Sequence, residues 1–100
     1  MSVIMYVDFP HQDVWGDEMA SQMSELAESI MSEPGCIWKI WTENKLDQTA
    51  GGVYLFDTRS NAENYLLKHT ERLTKWGYKA IRGRVFEVNK ELSTIDKGPI

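Results

Sequence analysis

The chain has 100 residues, 42% of them hydrophobic and 26% charged, with four Trp. That suits one small globular domain over residues 1–100 and excludes collagen-like, disordered and disulfide-scaffold classes. Fifteen acidic residues against eleven basic ones leave a formal charge of −4; the basic residues do not cluster beyond Arg82 with Arg84, which argues against nucleic acid as a partner. Cys36 is the only cysteine, so no intramolecular disulfide or cysteine-based zinc site is expected. No apolar run approaches the ~18 residues of a membrane span, and no basic region precedes the first apolar stretch, so no membrane partner is expected and the cytoplasm is the expected location.

In chain order, residues 3–9 (Val-Ile-Met-Tyr-Val-Asp-Phe) are short, apolar and β-branched, and Pro10 closes them: a strand. Residues 15–32 form a helix on the spacing of Met19, Met23, Leu26, Ala27 and Ile30, with Asp13 and Asp17 as candidate caps and Pro34-Gly35 as the stop. Residues 36–43 and 51–57 are two further strands joined by a polar loop over 44–50, an antiparallel hairpin. Ser60 and Glu63 match a capping box, so a second helix runs from there to about Trp76, where Gly77 ends it. Residues 80–88 are the fourth strand, and 89–100 are a polar tail apart from Leu92, Ile95 and Ile100.

The order is βαββαβ. Short connections and right-handed crossovers favour an α+β, ferredoxin-like fold: a four-stranded antiparallel sheet with two helices on one face. Both faces of the strands are apolar: Val3, Met5, Val7 and Phe9 oppose Ile4 and Tyr6, Trp38 and Ile40 oppose Ile37 and Trp41, and Val53 and Leu55 oppose Tyr54 and Phe56. Two helices cover one face only, so a second copy of the chain is expected to cover the other, giving a homodimer.

His69 is the most informative side chain. At 100° per residue it falls within the arc of Ala62, Tyr65, Leu66, Leu73 and Trp76, which places a group that titrates near neutrality toward the sheet among aromatics. Two readings stand: a core histidine satisfied by one hydrogen bond, to Tyr65 or a strand residue, or a pocket residue that binds a substrate oxygen or moves a proton. Neither His69 nor His11 belongs to a local metal-ligand spacing, so no metal site is expected, and His11 reads as a solvated loop residue. Asp8 and Lys39 interrupt apolar strands. An unpaired buried charge is costly, so each is expected near a strand end, on an edge, paired, or in a cavity, with pairing or an edge favoured. Arg82 and Arg84 share a face and would meet acidic groups of a partner chain or an anionic substrate group, the interface being favoured. Gly51-Gly52 fits a bulge or a close backbone approach, without dinucleotide-site spacing. Cys36 reads as a packed thiol.

The segments Trp38-Lys39-Ile40-Trp41-Thr42-Glu43, Ala50-Gly51-Gly52-Val53-Tyr54-Leu55-Phe56 and Tyr65-Leu66-Leu67-Lys68-His69-Thr70-Glu71-Arg72-Leu73 are specific in combination. With Leu26-Ala27-Glu28-Ser29-Ile30, Glu33-Pro34-Gly35 and the ending Val85-Phe86-Glu87-Val88-Asn89 with Leu92-Ser93 and Ile95, the chain resembles the YdhR-type putative monooxygenases over nearly its whole length. The resemblance implies a dimeric α+β barrel within the antibiotic-biosynthesis-type monooxygenase group, which oxidises small aromatic compounds without metal or flavin. It also implies a pocket in each protomer between helices and sheet. His69 is then the candidate proton acceptor or oxyanion partner, and Trp38, Trp41, Tyr54, Tyr65 and Trp76 are candidate ring contacts. Only one strand face can look into the pocket, so Trp38 and Trp41 are not expected to line it together. The haem-degrading relatives combine an Asn, a Trp and a His; here the first strand offers Asp8 and the helix offers Tyr65 near His69, an incomplete set. The expected function is a cofactor-independent monooxygenase for a phenol- or quinol-like compound. The alternatives are a non-catalytic small-molecule-binding or stress-response module, and a cofactor-free isomerase or decarboxylase using His69.

Overall fold

The computed structural model describes residues 1–100. Its elements are β1 (Val3–Pro10), α1 (Gly16–Ile30), β2 (Cys36–Asn44), β3 (Thr49–Phe56), α2 (Arg59–Lys75), β4 (Arg82–Glu87) and α3 (Lys90–Ile95). The strands form one antiparallel sheet in the order β2-β3-β1-β4, and the architecture is the expected ferredoxin-like α+β arrangement.

Strand periodicity decides which side chains meet the helices. Val3, Met5, Val7 and Phe9 of β1 and Tyr54 and Phe56 of β3 join Met19 and Ile30 of α1 and Ala62, Tyr65 and Leu73 of α2 in one buried cluster. Each large apolar side chain buried there contributes roughly 1.5–3 kcal/mol. Helix α2 is the better seated, with Ala62, Tyr65, His69 and Leu73 buried along one stripe; α1 buries only Met19 and Ile30. On the opposite face, the register aligns Phe86, Ile4, Leu55 and Trp38 in one row across the sheet. Leu55 is buried, while Ile40 and Phe86 are exposed. The chain's C-terminal end reaches this face, where the Trp38 indole donates to the Pro99 carbonyl at 2.7 Å.

Four local expectations are corrected. The second helix is capped by Thr58, whose hydroxyl accepts from the Asn61 N–H, and Ser60 lies inside it; Glu63 instead faces Arg59 at 3.8 Å. Neither Asp13 nor Asp17 caps α1: the Gly16 N–H donates across space to the Glu43 carboxylate, at 3.0 and 3.3 Å to its two oxygens. The β2–β3 loop is shorter than expected, because Thr49 and Ala50 already pair with both neighbouring strands and Gln48 takes φ 54° to close the turn. The polar tail holds a helix, α3, because the Asn89 side chain accepts from the Leu92 N–H and caps it.

Candidate active site

The site lies between α2 and the inner face of the sheet, where His69 of α2 meets Tyr54 of β3 and Lys39 of β2 lies over the same tyrosine. His69 is 3% exposed and stacks on Tyr65, with ring centroids 5.3 Å apart. Its Nδ1 lies 2.9 Å from Arg72 Nη2, and the same guanidinium nitrogen donates to the Tyr65 hydroxyl at 3.0 Å. A guanidinium has donors and no acceptor, so Nδ1 must be the unprotonated nitrogen and the ring proton sits on Nε2. The i, i+3 spacing on one helix makes this pairing. Burial, then the charges of Lys39 and Arg72, lower the His69 pKa to about 3. His69 is therefore a neutral imidazole near pH 7, and its free Nε2–H is a donor.

Lys39 is the second member. Its Nζ lies 3.4 Å from the Trp41 ring centroid and 4.8 Å from that of Tyr54. The stem crosses Gly52, where a Cβ would come within 2.5 Å of Lys39 Cε; here the missing side chain makes room for the lysine. No carboxylate forms an ion pair with Lys39. Glu33 is paired with Lys68 at 2.6 Å, and Glu43 accepts from the Gly16 N–H. Burial, then the Arg72 charge, lower the Lys39 pKa to about 7.

His69, Lys39, Trp41, Trp76 and Tyr78 line a cavity of about 20 Å³, completed by apolar side chains of α1 and β1. That holds about one water. Met19, Met23 and Trp41 also wall a groove of about 410 Å³ between α1 and β2. Methionine side chains rearrange readily, and these two stand between the closed cavity and the open groove.

Of the residues expected at the site, His69, Trp41 and Trp76 line the cavity. Tyr54 and Tyr65 lie behind it, packed on His69, with the Tyr54 hydroxyl buried and unpartnered. Burial pushes both phenols above the usual tyrosine range. Trp38 faces the other side of the sheet, one strand position out of phase with Lys39 and Trp41, and does not contact the cavity. Lys39, Arg72 and Tyr78 are additions to the expected set. Lys39 is visible in the sequence as a charge in an apolar strand; Arg72 is visible only as the residue one helical turn beyond His69.

His11 is also corrected. It is 6% exposed, with Nε2 donating to the Val14 carbonyl at 2.6 Å and Nδ1 accepting from the Tyr78 hydroxyl at 2.8 Å. It anchors the loop before α1 to a cavity residue and is not solvated. Asp8 is paired as expected, by Arg82 Nε and Nη2 at 2.8 and 2.7 Å; this also engages Arg82 within its own chain. Cys36 is half-buried, and burial raises its thiol pKa. No group of three or more His, Cys, Asp or Glu side chains is placed to hold a metal ion, and no helix is long and apolar enough to cross a membrane.

Comparison with curated proteins finds no match. A family model does match, over residues 4–99, so the chain belongs to the family described as Putative mono-oxygenase ydhR.

Proposed function

We propose that the protein is a cofactor-independent monooxygenase for a small phenol- or quinol-like compound. The observation that carries this reading is the neutral His69, with its Nε2–H free, in an apolar cavity walled by Trp41, Trp76 and Tyr78. Joined to the neighbouring groove of about 410 Å³, such a lining suits an aromatic ring with one polar tip. A ring enters from the groove when Met19 and Met23 move. His69 Nε2–H then donates to the substrate oxygen, and Arg72 holds the imidazole in that tautomer. An ionised phenol is electron-rich enough to pass an electron to O2. Recombination at a ring carbon and loss of water then convert phenol and O2 to quinone and water, so the substrate supplies all four electrons that O2 takes up. The protein's part is to hold the anion and keep the site dry.

The test is oxygen uptake with a panel of phenols and quinols. The wild-type protein consumes O2 with at least one of them. His69→Ala, checked for folding by its melting curve, loses on the order of 10²–10³ in rate, the usual effect of removing an oxyanion donor. Product formed equally without O2 would instead indicate an isomerase or decarboxylase. Ligand-induced thermal stabilisation without turnover would indicate a binding module.

We also propose a homodimer formed through the outer sheet face. Ile40 and Phe86 stay exposed there at 54% and 43%, an apolar surface that a second copy would cover. Light scattering at micromolar concentration distinguishes a dimer from the monomer that would refute this.

A further inference from the structure

We propose that Lys39 is the proton acceptor for the bound phenol and then the counterion of the phenolate, with His69 Nε2–H as the second contact to the same oxygen. This rests on the phenol reading of the cavity, and it assigns acid–base work to a residue other than the histidine. His69 is disqualified as the base by its partner: Arg72 occupies Nδ1, and Nε2 already carries the proton. The cavity needs another acceptor, and Lys39 is the one amine lining it.

The surroundings of Lys39 support the role. From α2 it faces Arg72 and His69, from β3 Tyr54, and from its own strand Cys36. Helix α1 brings only Met19, Met23 and Leu26 to the cavity, and β1 only Val7 and Phe9. Every charged group in this set is cationic, and none is a carboxylate. A buried ammonium without a counterion is unfavourable, so burial drives some of the Lys39 population to the free amine near neutrality. The free amine has a lone pair for the phenol proton. The step is O–H to N: the phenol loses its proton, Lys39 Nζ gains it, and an ammonium–phenolate pair replaces two neutral groups. No electron moves. The new pair supplies the negative charge that the cationic set lacks, so binding and ionisation favour each other.

The probe is 3-nitrophenol, which is mainly neutral near pH 7 and whose anion absorbs in the visible. It is titrated with the protein under nitrogen in weakly buffered indicator solution, so that phenolate formation and proton release are read together and no turnover is needed. The wild-type protein is expected to develop the phenolate band on binding, with the probe's ionisation midpoint lowered by about one pH unit, a tenfold bias. It should release clearly less than one proton per phenolate formed. Lys39→Arg keeps a cation that cannot take a proton; it should keep the band and release a full proton. Lys39→Met should bind the probe, if at all, as the neutral phenol. A wild-type protein that shows no band overturns the proposal, whether the probe stays neutral or fails to bind. So does a Lys39→Met band equal to wild type, or proton release by Lys39→Arg no greater than wild type. If a substituted chain fails to fold, the wild-type band and proton count still decide. A wild-type band without oxygen uptake in the earlier assay would refute the oxygenase reading and leave this inference standing.

Discussion

Asp8 and Lys39 are both charges set into apolar strands, and the sheet treats them in opposite ways. Asp8 points to the outer face and receives two hydrogen bonds from Arg82 on the adjacent strand. Lys39 points to the inner face, lies over Gly52 between two rings, and has no carboxylate partner. Each is beside one glycine of the Gly51-Gly52 pair, because Gly51 is opposite Asp8 in the register. A charge whose partner is supplied by its own chain is accounted for by the fold. One left facing a cavity, with Arg72 as its only charged neighbour, gains a partner only from a ligand, and this contrast is what singles out the cavity as the candidate site.

The two glycines separate the two charges most severely. A Cβ on Gly51 would come 1.9 Å from the Val7 carbonyl oxygen, a backbone atom of the central strand, so Gly51→Ala must force β3 away from β1. It is expected to cost more than about 4 kcal/mol and leave little folded protein, read by circular dichroism and denaturant titration. Gly52→Ala meets the end of a flexible side chain instead. It should fold with a loss of about 1 kcal/mol or less while displacing Lys39, so the phenolate band weakens far more than stability does. Equal stability losses for the two would show that Gly52 serves the backbone and not the lysine.

The next largest effect is on the pH dependence of stability. His69 has a folded pKa of about 3, below its unfolded value of 6.5. The unfolded chain binds the extra proton between those values, so stability falls as pH is lowered through that window. Lys39, lowered from 10.5 to about 7, acts the same way at higher pH: the unfolded chain holds the proton the folded one has lost, and stability rises from about pH 7 toward 10.5. Each contribution is on the order of a few kcal/mol. Denaturant titrations across pH should show the alkaline rise reduced in Lys39→Met and the acid loss reduced in His69→Gln. At about pH 6, Lys39→Met should be more stable than wild type by about 1–3 kcal/mol, because it replaces an unpaired buried cation.

The smallest effect is at the surface end of the other charge. Arg82→Ala should lower the melting temperature modestly, by leaving Asp8 buried without its partner, and more than Arg84→Ala, whose guanidinium lies over Phe86 and has no carboxylate partner. Unchanged melting in Arg82→Ala would show that water replaces the guanidinium at Asp8.

Much of this architecture can be read from the chain directly. The alternation of Val3, Met5, Val7 and Phe9 and the stripe of Ala62, Tyr65, His69 and Leu73 depend only on the periods of strand and helix. These residues are buried as that pattern requires. Caps are harder to read. Ser60-x-x-Glu63 is a good capping pattern, but Thr58 two residues earlier captures the helix start, and the choice depends on where the chain leaves β3. The Gly16 N–H is satisfied by Glu43, 27 residues away, which no local pattern can contain.

The site divides along the same line. Sequence alone places His69 on the buried face of its helix and marks Lys39 and Asp8 as anomalies, because periodicity and the cost of burying charge are local properties. It cannot say which anomaly is resolved within the chain. That depends on β4 lying beside β1, so that Arg82 reaches Asp8, and on β2 lying beside β3 at the sheet edge, so that Lys39 comes near Arg72 and His69. Nor can it choose between Trp38 and Trp41, because the irregularity between Cys36 and Trp38 shifts the strand's phase. Only the tertiary structure decides these, because they are set by which strands are neighbours and in what register.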